Sequence, residues 1–115
     1  MSSVNQLAYV GIEASDLADW ERFGVDLLGM QLGSRSSDSL QLRMDDKVYR
    51  WLIEKGPADD LSLTGFECGS DADLDAIVAR LQASGHQVQQ GDAALAEQRQ
   101  VQRIFVTADP LGNRV

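Results

Sequence analysis

Gly11-Ile12-Glu13-Ala14 returns 54 residues later as Gly65-Phe66-Glu67-Cys68. Each copy lies at the end of a short run with strand-forming residues, Gln6 to Glu13 in the first case and Leu61 to Cys68 in the second. A helix-capping residue follows each run, Asp16 in one and Ser70 or Asp71 in the other, with a side-chain oxygen able to accept from the free N–H groups of a first turn. Behind Asp16, Leu17, Trp20, Phe23, Leu27 and Leu28 recur at spacings of three and four, the apolar face of a helix. Asp19 and Glu21 complement its dipole, and Gly29 suits the position just past its end, where positive φ is wanted. Leu74, Ile77, Val78 and Leu81 repeat the pattern in the second half, ahead of Gly85.

Three strand candidates follow the first helix, at 30–34, 40–44 and 48–53. Leu40, Leu42 and Met44 alternate with Gln41 and Arg43, the pattern of a half-buried strand. Gly56-Pro57-Ala58-Asp59-Asp60 is a connector. After the second helix come a weak strand at 87–89, a helical or looped excursion at 92–99 and a stronger strand at 101–107. The turn Asp109-Pro110-Leu111-Gly112-Asn113 then leads to Arg114-Val115, the first step of another strand. The order strand, helix, three strands thus occurs twice, over 1–55 and 60–115. Letter identity between the halves is thin, so element order carries the repeat. The second unit is expected to be cut short as its last strand begins, leaving a sheet edge prone to pairing.

The rest of the composition narrows the function classes. The chain has 115 residues, 43% hydrophobic and 24% charged, the balance of one globular domain. Its net charge of −8 and pI near 4.4 speak against a general affinity for nucleic acid or anionic membrane. No apolar run reaches bilayer length, and the N-terminal residues lack the basic start and apolar core of a signal peptide, so a cytoplasmic location is expected. The lone Cys68 excludes an internal disulfide framework and fits a reducing compartment. There is one histidine, His86.

A duplicated βαβββ unit resembles the module of the vicinal oxygen chelate superfamily, which includes the glyoxalases, bleomycin-resistance proteins and extradiol dioxygenases. The run from Leu7 to Trp20 is similar to the opening of type I extradiol dioxygenases of the 2,3-dihydroxybiphenyl kind. Leu27-Leu28-Gly29-Met30, Asp59-Asp60-Leu61, Gly91-Asp92-Ala93 and the stretch from Ala108 to Asn113 resemble the N-terminal module of that subgroup. The resemblance implies an α+β fold in which two βαβββ units form a curved, mostly antiparallel half-barrel with one main helix per unit outside. It also implies a single module over 1–115, the non-catalytic N-terminal domain of a larger two-module protein. In such enzymes the C-terminal module holds Fe(II) through two histidines and a glutamate, leaving open positions for catecholate and dioxygen.

Carried onto this chain, the ligand positions fall on Tyr9, on Leu63 and just past Val115. Leu63 has no donor atom, so no catalytic or metal-ligating residue is assigned and no cofactor is expected here. Fe(II) belongs to the missing catalytic module. That module is the implied partner, alongside homo-oligomer contacts in an enzyme of aromatic catabolism, and the isolated chain is expected to be inactive. A metal-free, free-standing binding module resembling the bleomycin-resistance proteins is the alternative. Tyr9, Glu13, Tyr49, Trp51, Leu63 and Glu67 are the candidate pocket-lining residues. Among them Glu13 and Glu67 occupy matching places and read chiefly as strand-end carboxylates that cap loops. Tyr49 and Trp51, two apart in one strand, are expected to share a face. Trp20 and Phe23 read as core, His86 as a solvated loop residue and Cys68 as a small buried thiol.

Overall fold

Residues 3–115 are described by a computed structural model. Strand β1 (Val4–Ala14) leads into helix α1 (Leu17–Glu21), which continues as a π-helical turn over Arg22–Leu27. Then follow β2 (Gln31–Arg35), β3 (Ser39–Arg43), β4 (Trp51–Lys55) and β5 (Asp60–Cys68). Helix α2 (Asp71–Ala83), β6 (Gln89–Gln90), α3 (Ala93–Arg99) and β7 (Phe105–Val106) complete the order. One sheet runs β2-β3-β4-β1-β5, and β6 and β7 form a second, two-stranded one. Pairing is antiparallel for β2–β3, β3–β4 and β6–β7, and parallel for β1–β4. The α+β class and the strand, helix, three-strand order of the first half are as expected.

Contacts divide the chain into two units, Ala8–Gly65 and a second made of Phe66–Val115 with the residues up to Leu7. The division falls within β1 and β5. In Ala8–Gly65 the core is Ile12, Ala14, Leu17, Met30, Leu40, Leu42 and Ile53, with Trp20, Val25 and Trp51 packed against it. Asp16 caps α1, its Oδ1 accepting from the Asp19 N–H at 3.1 Å, and Gly29 has φ 78°. The connector is pinned where Asp59, at φ 51°, accepts from the N–H and Oγ of Ser15.

Four sequence expectations need correcting. The first helix does not stay α-helical: the Leu28 N–H reaches the Phe23 carbonyl, five residues back, at 3.1 Å. A five-residue step no longer returns the three-and-four spacing to one face. Phe23, Leu27 and Leu28 are accordingly 44%, 70% and 53% exposed rather than core. Second, β4 starts at Trp51, because residues 45–50 form a loop tied by Arg50, whose Nε and Nη2 donate to Asp45 and whose Nη1 donates to the Ala8 carbonyl. Third, Gln41 is buried on β3 together with Leu40 and Leu42 while Met44 lies beyond the strand and is exposed, so alternation describes only part of it.

Fourth, the strand expected over 101–107 is only Phe105–Val106. Gln100 takes a left-handed turn (φ 59°) and the Val101 N–H still caps α3 by donating to Ala96. Arg103 is drawn to Asp75 and Asp71 of α2, at 2.7 and 3.3 Å. The excursion at 92–99 is the helix α3, capped by Asp92. Arg114 and Val115 do pair as a strand beginning, against Ala108 and Thr107.

Candidate functional site

Successive β1 side chains alternate between the faces of the sheet. Ile12 and Ala14 join the core on the α1 side, so Tyr9, Gly11 and Glu13 point the other way. Tyr9 and Leu63, the residues onto which the resemblance carries two ligand positions, stand in a reciprocal arrangement with Gly65 and Gly11. A Cβ on Gly65 would stand 2.4 Å from the Tyr9 ring, and a Cβ on Gly11 would stand 2.5 Å from Leu63 Cγ. The residue numbers 9 and 65, and 11 and 63, share one sum, which is antiparallel registry between adjacent β1 and β5. The two pairs exchange under the 54-residue offset of the repeat. Each bulky side chain lies over the other strand's glycine.

Tyr49 closes the arrangement, its ring centroid 5.1 Å from that of Tyr9 and tilted by 52°. Tyr49 and Leu63 are each 5% exposed. The loop carrying Tyr49 is held by Arg50, and the guanidinium hydrogen bonds keep the Asp45 carboxyl below its ordinary range. The Leu63 side chain and the Tyr9 ring therefore pack over the glycines of the facing strand, with the Tyr49 ring against Tyr9. The donor chemistry does not fit Fe(II): Leu63 offers no lone pair, and Tyr9 alone is not a facial set. Among the described residues no group of three His, Cys, Asp or Glu side chains is placed to hold a metal.

The remaining candidates have separate surroundings. Glu13 lies against Gly56 and accepts from the Ala58 N–H at 2.7 Å, so it caps the connector. Glu67 accepts from Gln6 Nε2 at 3.0 Å. Trp51 does not share a face with Tyr49: it packs on the α1 side, 5.8 Å from Trp20 and stacked on Phe23 at 6.5 Å. The cause is the late start of β4, which leaves Tyr49 in the preceding loop. Trp51 borders an open groove with Leu28, Gly29, Met30, Gln31, Met44 and Asp45. Sequence reading missed this groove, because the π turn that exposes Leu28 has no periodic signature. Cys68 is half-buried, and burial together with Asp73 and Glu67 pushes its thiol up, away from the reactive thiolate. His86 is exposed in the turn after α2, its backbone N–H donating to the Leu81 carbonyl.

Comparison with known proteins places these features. Residues 7–56 match the family model described as Dihydroxybiphenyl dioxygenase BphC D1. An iron-dependent extradiol dioxygenase of Rhodococcus jostii is 38% identical over 96% of this chain, and a 3-methylcatechol 2,3-dioxygenase of Pseudomonas putida is 35% identical over 98%. The crystal structure of a catechol 2,3-dioxygenase superposes on 99% of the chain with a TM-score of 0.94 at 29% identity. The chain spans only 37%, 39% and 38% of those three proteins. In fold it matches the vicinal oxygen chelate module of the extradiol dioxygenases, and in sequence it resembles the N-terminal module of the type I enzymes.

Proposed function

We propose that this chain is the non-catalytic N-terminal module of an Fe(II)-dependent extradiol dioxygenase acting on a catechol-type ring such as 2,3-dihydroxybiphenyl. The parent enzyme inserts both atoms of O₂ and opens the ring beside the hydroxyls, and Fe(II) in the catalytic module supplies the oxygen chemistry. The observation that carries the reading is the Tyr9–Gly65 and Leu63–Gly11 packing, which occupies the ligand-equivalent positions with groups that cannot form the triad. The relatives that cover nearly the whole chain are dioxygenases more than twice its length. This module then contributes architecture. Its partner is the catalytic module of the same protein, a homo-oligomer of the cytoplasm working in aromatic catabolism. The described residues contain no helix long and apolar enough to cross a membrane.

The test is direct. The 115-residue chain is incubated anaerobically with Fe(II), desalted, assayed for iron and then given 2,3-dihydroxybiphenyl and oxygen. Neither retained iron nor oxygen uptake is expected, and stoichiometric iron with ring cleavage would overturn the assignment. Reading the gene beyond Val115 supplies the second arm: a further module bearing two histidines and a glutamate supports the dioxygenase. The metal-free binding module stays the alternative on one observation, the open groove beside Trp51. Saturable binding of a cationic glycopeptide, lost in Trp51→Ala, would favour it.

A further inference from the structure

We draw no further inference here: the strongest candidate, the open groove that Leu28, Met30, Met44 and Trp51 line beside the exposed Phe23 and Leu27 at the end of the first helix, is an apolar face, and nothing in the structure shows what covers it.

Discussion

Gly11 and Gly65 are held small by their neighbours rather than by backbone conformation, since neither has positive φ. A methyl at position 11 would meet Leu63 Cγ at 2.5 Å, and Leu63 is too buried to move aside. Gly11→Ala is expected to cost about 1–3 kcal/mol by overpacking. Leu63→Ala alone costs about 2–5 kcal/mol as a cavity. Together they should fall short of the sum by at least about 1 kcal/mol, because the new methyl enters the vacated space. Urea unfolding of the four proteins gives the coupling, and strict additivity would contradict the packing. A second prediction concerns acid. Asp45, Asp59 and Asp109 are all held below the ordinary 3.8, by Arg50, Ser15 and Asn113 respectively. A depressed carboxylate gives stability that is present above the unfolded value and lost as pH falls through the folded one. Stability should therefore decline as pH drops below 3.8, and Asp45→Asn should flatten part of that slope in unfolding curves taken across the acid range. Tyr9 and Leu63 were singled out in the sequence by the family resemblance, which carries two ligand positions onto them. Their packing over Gly65 and Gly11 was not, because it depends on β1 lying beside β5 and no local pattern encodes that adjacency.

The first helix is the element where periodicity and structure part. The caps at Asp16 and Gly29 follow from side-chain chemistry and glycine's access to positive φ, and both occur where the sequence places them. The apolar spacing between them suggested one continuous α-helix, yet the π turn exposes Leu27 and Leu28 and aligns Phe23 with Trp51. Tertiary contact explains the departure. Gly24 is buried against Leu42, a Cβ there would come within 2.4 Å of Leu42 Cδ1, and Leu42 is completely buried. Gly24→Ala sets two effects against each other. Helix propensity favours alanine by about 1 kcal/mol, while overpacking an immobile core leucine costs about 1–3 kcal/mol. Net destabilisation is expected, with a changed near-ultraviolet dichroism from Trp20 and Trp51 as the helix shifts. A rise in thermal midpoint would show that the π turn is a propensity effect and that Leu42 yields. Tyr49 and Trp51 illustrate the same limit on sequence reading: period two assigns a common face only where the strand actually extends, and Arg50 ends it by binding Asp45 and Ala8.

At the scale of the whole chain, the two units carry unequal cores, although the sequence repeats one element order in both. Ala14, Leu40, Leu42 and Ile53 are 0% exposed in Ala8–Gly65. In Phe66–Val115 the residues that count as buried are Ala96 at 9% and Arg99 at 8%, and β6 and β7 are two residues each. Burial of apolar surface is the main term opposing chain entropy, so a unit with little of it opens at lower free energy. Its local tethers are exposed polar ones, chiefly Arg103 with Asp71 and Asp75 at 33%, 71% and 60% side-chain exposure, and solvent screening leaves such pairs little stabilising effect. Native-state hydrogen exchange should therefore show α2, α3 and β7 exchanging through openings well below the global unfolding energy, while β3 and β4 exchange only with global unfolding. Screening the ion pairs with added salt should widen that gap, because the Phe66–Val115 tethers weaken and the apolar core of Ala8–Gly65 does not. Equal protection in the two units would mean that they unfold as one, and that partial burial of Leu74, Ile77, Val78 and Leu81 suffices to couple α2 to the rest.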